Sequence, residues 1–145
     1  MKKNILIYIA GPYRSISHPS LGFFSVSDNI KRAEQTAINA VNALSKYGVY
    51  PLTPHLNTAH FERYTQVPED MYWLDGTMAM MEQCDAVLLA DHPALDMSQG
   101  TADEVKRAQE LGMPVCRTVA ELEECIASKV SQDGAFEYFI PRVHY

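Results

Sequence analysis

The chain has few cysteines, no long apolar run and no excess of positive charge, and each of these absences removes a class of protein. Its three cysteines, Cys84, Cys116 and Cys125, are an odd number at wide spacing. No CxxC pair or Cys/His cluster of zinc spacing occurs, so neither a disulfide framework nor a zinc module is expected, and no metal site. The apolar settings of Cys84 and Cys116 suggest buried thiols and a reducing, cytoplasmic setting. The apolar run Asn4–Ala10 behind two lysines is too short for a secretory leader, and nothing approaches the length of a membrane span. A net charge of -6 and a pI near 5.3 argue against a basic face for a nucleic-acid polymer. A single phosphate could still be held locally by backbone amides and one Arg. No Walker loop, dinucleotide Gly-rich turn or Ser-His-Asp elbow is present.

What is there suits one compact domain spanning residues 1–145: 145 residues, 47% hydrophobic and 21% charged, enough to bury a core without staples. Short apolar runs alternate with amphipathic ones. Asn4–Ala10 predicts a strand ending at Gly11-Pro12, and a polar loop runs from Arg14 to Ser27. From Asp28, a possible cap, Ile30, Ala33, Ala37, Val41 and Leu44 recur at helical spacing as far as Gly48. Val49–Thr53 predicts a second strand, and a loop follows from His55 to about Val67. Pro68 suits the first turn of a helix with an inner stripe of Met71, Leu74, Met78 and Met81. Asp85–Ala90 predicts the third strand, Asp91–Gly100 a loop, and Thr101–Leu111 a helix. Val115–Arg117 starts a fourth strand, Ala120–Val130 forms a last helix, and the tail from about 131 is irregular. Apolar strands alternating with helices imply an α/β fold, flavodoxin-like or Rossmann-like, with a parallel sheet of about four to five strands between helical layers. Its ligand would lie beyond the carboxyl ends of the strands.

Two stretches at those ends could carry chemistry. In Ser98-Gln-Gly-Thr-Ala-Asp-Glu104, Gly100 permits close backbone approach, and the amides after it could receive an anion at a helix start. Glu104 shares a stripe with Ala108 and Leu111, an unusual place for a carboxylate. Near the positive helix end it would stay ionised, as a nucleophile should. A capping box with Thr101 as N-cap explains the same spacing equally well. In Tyr8-Ile-Ala-Gly-Pro-Tyr-Arg14, the Tyr8 hydroxyl could reach the sheet's edge, or Tyr8 could simply be core. Gly11, Tyr13 and Arg14 sit in the following turn, where a guanidinium could clasp a phosphate or merely face solvent. His55, leaving the second strand, could contact base or sugar, or cap its loop.

Together these pieces resemble the nucleoside 2-deoxyribosyltransferase superfamily, which includes the 2'-deoxynucleoside 5'-monophosphate N-hydrolases. The matching stretches are Tyr-Ile-Ala-Gly-Pro-Tyr-Arg, Gly-x-x-Pro-x-x-Pro-His, Cys-Asp-Ala-Val and Ser-x-Gly-x-x-x-Glu, followed by Gly112-Met-Pro-Val. The resemblance implies Glu104 as nucleophile and Tyr8 as the residue that orients it. It implies cleavage of an N-glycosidic bond by hydrolysis or base exchange, with no cofactor. Ser98 and Arg14 match the phosphate-binding positions of the monophosphate hydrolases and tilt the expected substrate toward a 5'-monophosphate over a free nucleoside. One departure stands out: many relatives carry Asp where this chain has Thr77, with Asp75 two residues earlier as a possible substitute. Relatives assemble with shared sites, and the Met71–Met81 segment with Tyr72 and Trp73 has more apolar surface than one core face needs, so a homodimer or larger assembly is expected. The rivals are a cytokinin-activating phosphoribohydrolase (Gly-Thr-x-x-Glu matches Gly100–Glu104, but the Pro-Gly-Gly lead-in is missing), a non-catalytic nucleotide sensor, and a flavodoxin-like interaction module.

Overall fold

The computed structural model describes residues 4–133. Four parallel strands form the main sheet: β1 (Ile5–Ala10), β4 (Val49–Leu52), β5 (Ala86–Leu89) and β6 (Val115–Cys116), in the spatial order β4-β1-β5-β6. In chain order that is second-first-third-fourth, the flavodoxin-like winding, and its switch point lies between β1 and β5. The register aligns Ile5 with Val49 on one side of β1 and Ile7 with Ala86 on the other.

The period-2 alternation of β1 sends its side chains to two cores. Ile5, Ile7 and Ile9 pack with Ala33, Ala37, Ala40 and Leu44 of α1 (Val26–Leu44) and with Leu122 and Ile126 of α6 (Val119–Asp133). Tyr8 and Ala10 face the other way, onto Met81 of α4 (Asp70–Glu82) and Ala108 of α5 (Gln99–Glu110). Helices thus cover both faces of an apolar parallel sheet and bury the side chains of each face, while strand pairing satisfies its backbone. The expected irregular tail begins inside α6, which runs to Asp133; residues 134–145 lie outside the described residues.

Several local expectations shift. The loop Arg14–Ser27 contains an antiparallel hairpin, β2 (Ile16–His18) with β3 (Gly22–Phe24), its turn held by His18 Nδ1 accepting from the Ser20 and Leu21 amides. Ser25, not Asp28, caps α1; Asp28 reciprocates from the third helical position to complete a capping box. The buried stripe of α1 is Asn29, Ala33, Thr36, Ala37, Ala40 and Leu44, turned away from Ile30 and Val41 because two polar side chains on it find internal partners. The loop after His55 folds into two single-turn helices, α2 (Pro54–Asn57) and α3 (Phe61–Tyr64). Pro68 precedes α4, whose N-cap is Glu69, and of the expected stripe Met81 is buried whereas Met71 is 65% exposed.

Gly11 is needed for close approach. A Cβ there would stand 2.7 Å from the Ala90 Cβ, where the chain leaves β1 beside the end of β5. Ala90 donates its amide to the Ala10 carbonyl at 2.8 Å, so the two strand ends stay zipped at the switch point.

Candidate active site

At the carboxyl edge of the sheet a cleft of about 450 Å³ opens over the switch point. Eight of the nine residues singled out in the sequence line it: Tyr8, Gly11, Tyr13, Arg14, His55, Ser98, Gly100 and Glu104. Asp75 does not; it lies on the exposed face of α4, and Thr77 lines the cleft in its place. The half-turn between positions 75 and 77 of a helix is enough to carry one outward and the other inward.

Glu104 is not part of a capping box. The N-cap of α5 is Ser98, whose hydroxyl accepts from the Thr101 amide at 3.2 Å and from the Thr101 hydroxyl at 2.8 Å. Helix α5 therefore starts two residues earlier than expected, and Glu104 falls in its second turn, on the buried stripe with Thr101 and Ala108. Its residual exposure is 6%, and no Lys or Arg pairs with it among the described residues. The fully buried Tyr8 hydroxyl donates to Glu104 Oε2. Thr77 also lines the cleft, and its hydroxyl donates to the Leu74 carbonyl at 3.0 Å.

Burial dominates the electrostatics. Loss of water raises the Glu104 carboxyl from 4.5 to about 7, and the hydrogen bond from Tyr8, with the polar Thr77 side chain nearby, offsets only part of that. The expectation that the helix start keeps it fully ionised gives way, because the dipole's influence fades beyond the first turn. Burial and the neighbouring Glu104 charge push the Tyr8 phenol far upward, so it stays protonated as a donor.

The outer wall is acidic. Arg14 Nε donates to Asp70 at 2.9 Å, and Nη1 lies 3.8 Å from Glu62. Tyr13 donates to Glu62 at 3.0 Å and accepts the His60 amide at 2.7 Å. His55 caps its loop: Nε2–H points to the carbonyls of Gly11 and Pro12, each at 3.0 Å, and burial lowers the imidazole's pKa, favouring the neutral ring. Gly100 leaves room for a side chain, since a Cβ would meet only Leu74 Cδ1 at 3.9 Å.

Two contributors escaped the sequence. Asn29, 1% exposed, donates Nδ2 to the Tyr13 and Arg14 carbonyls at 3.1 and 2.9 Å, while its Oδ1 lies 2.7 Å from His92 Nε2. A polar residue four before Ala33, in line with a buried stripe, was the available signal. Glu62 gave none: a charged residue in an irregular segment ordinarily faces solvent.

A search of curated proteins returns no match. Among solved structures, the chain is similar to "2-desoxiribosyltransferase from Leishmania mexicana", at 24% identity and a TM-score of 0.45, covering 77% of this chain and 61% of that one. The chain thus spans 61% of the length of that relative. The family model described as "Domain of unknown function (DUF7768)" matches residues 5–118, so the chain belongs to the DUF7768 family.

Proposed function

We propose that the protein cleaves the N-glycosidic bond of a 2'-deoxynucleoside, with Glu104 as nucleophile. One observation carries this reading: a carboxylate buried without a cation on the floor of a cleft, oriented by a tyrosine hydroxyl. Such a group costs stability and is found where chemistry needs it. With its pKa near 7, a large fraction is ionised at neutral pH and poorly solvated, which favours attack on carbon. Glu104 would bond to C1' as the base departs with the electron pair of the C–N bond, through an oxocarbenium-like state. Tyr8 would hold the carboxylate's orientation. Water or a second base would then take the sugar.

The choice between nucleoside and 5'-monophosphate turns on the outer wall. Of the two side chains expected to bind phosphate, Arg14 is held by Asp70 and Glu62, whereas the Ser98 hydroxyl accepts from Thr101 and keeps its own proton to donate. A phosphate dianion would have to displace carboxylates from Arg14 in a cleft also lined by Asp103 and Glu104. These contacts favour the free nucleoside, whose 5'-hydroxyl can donate to a carboxylate.

The reading is tested by chromatography of deoxynucleosides and their monophosphates incubated with pure protein, with and without an acceptor base. Base release should be faster from nucleosides, and Glu104→Gln should lower turnover by at least about 10³-fold. Asp70→Asn should free Arg14 and narrow the discrimination against monophosphates. Absence of base release, or near-native turnover in Glu104→Gln, overturns the reading.

A further inference from the structure

A glycosyl ester on Glu104 needs a second group to accept a proton from the water or base that resolves it. Thr77, beside the nucleophile, cannot serve as a base at neutral pH. Four carboxylates line the cleft: Glu62, Asp70, Asp103 and Glu104 itself. Asp70 is 75% exposed, and Asp103 accepts the Gln99 side-chain amide at 2.8 Å, one turn away on its own helix. Glu62 differs. Its side chain is only 14% exposed, and both its oxygens lie within reach of the Tyr13 hydroxyl, at 3.0 and 3.2 Å.

The backbone that presents Glu62 is strained. His60 is the one non-glycine residue among the described residues with positive φ, at φ 63° and ψ 12°, and its buried Nδ1 has no partner. In that conformation its amide reaches the Tyr13 hydroxyl, which in turn donates to Glu62. Helix α3 is braced from outside by the edge-on contact of Phe61 with Trp73, whose Nε1 donates to the Val67 carbonyl at 2.8 Å. The His60 amide and the Tyr13 hydroxyl thus form a relay of two hydrogen bonds that ends on the Glu62 carboxylate.

We propose that Glu62 is the proton acceptor in the second half of the reaction, a role that rests on the reading of Glu104 as nucleophile. As the incoming water forms its bond to C1', its O–H bond breaks and the proton passes to the Glu62 carboxylate. The C1'–O bond to Glu104 breaks with its electron pair returning to the Glu104 carboxylate. The Tyr13 hydroxyl and the Arg14 guanidinium fix the Glu62 carboxylate on the wall of the cleft, whose open side lets the accepted proton pass to bulk water.

The test is E62Q, which keeps the size of the side chain and an oxygen for Tyr13. Rapid-quench measurement of base release should show a burst of about one equivalent per site at near wild-type rate, followed by turnover slowed about 10²-fold. Azide, a nucleophile with no proton to lose, should restore turnover and yield the 2-deoxyribosyl azide, with little effect on the wild type. Mass spectrometry of the quenched E62Q protein should show the sugar esterified to Glu104. If E62Q turns over like the wild type, or loses both phases equally without azide rescue, Glu62 is not the acceptor, although a Glu104 ester would leave the nucleophile standing. If the wild type releases no base and forms no ester, the nucleophile reading fails and takes this role with it.

Discussion

Above neutral pH the folded protein holds a charge it would hold more comfortably unfolded, so Glu104→Gln should raise stability there. Unfolded, Glu104 titrates near 4.5; folded, near 7, chiefly because burial penalises the carboxylate. Below pH 4.5 both states carry the proton, and the substitution should change little. Between 4.5 and 7 the unfolded chain ionises first, and the wild type loses stability progressively. Above 7 both states are ionised and the full penalty is present. The interval from 4.5 to about 7, at about 1.36 kcal/mol per pH unit, amounts to about 3 kcal/mol. In a chain of 145 residues that corresponds to a Tm higher by roughly 6–12 °C at pH 8. Gln keeps an oxygen for the Tyr8 hydroxyl, and its amide can face Thr77, so neither contact need be orphaned. Calorimetry of both proteins from pH 4 to 8 checks this. A Tm difference that does not grow with pH, or a variant less stable than wild type at pH 8, refutes the burial argument. In the wild type, base release should rise through pH 7 as the nucleophile ionises.

Tyr8→Phe removes a donor that lowers the Glu104 pKa, so the rising limb of the pH–rate profile should move to higher pH and kcat should fall about tenfold; an unmoved limb counts against an orienting role. Gly11→Ala places a Cβ against Ala90 and should cost about 1–3 kcal/mol in denaturant titration, since neither strand end can yield alone; a neutral substitution would mean the strand ends separate easily. Met71 and Tyr72, 65% and 57% exposed on α4, leave apolar surface that a second copy would cover, so sedimentation at micromolar concentration should show a dimer or larger, shifted toward monomer by Met71→Glu. A monomeric wild type would oppose that.

The sheet was legible because Ile5, Ile7 and Ile9 alternate with Tyr8 and Ala10 and both sets are buried, a pattern that only a two-faced strand explains. The inward Glu104 was legible for a similar reason, as a charge on a stripe with Ala108. The hairpin after Arg14 was not, because its strands are three residues each and its turn, closed by Gly22 at φ 90°, is also held by the His18 side chain. The start of α5 was misplaced because Ser98 and Thr101 are both good caps, and only the tertiary setting of Gln99 and Gly100 decides between them. The phosphate expectation rested on residue types at Ser98 and Arg14. What those side chains already hold depends on Asp70, Glu62 and Thr101, and chain order brings none of the Arg14 partners near.

One side chain near the cleft has a mechanical consequence. Asn29 reaches from α1 to the chain after β1 through two carbonyls, and to the chain after β5 through His92. Those two segments flank the switch point, and with a shared carboxamide between them they cannot drift apart without breaking its hydrogen bonds to one or the other. Opening of the cleft on that flank therefore costs at least one of these contacts, and the amides on the two segments should be protected together from exchange with solvent.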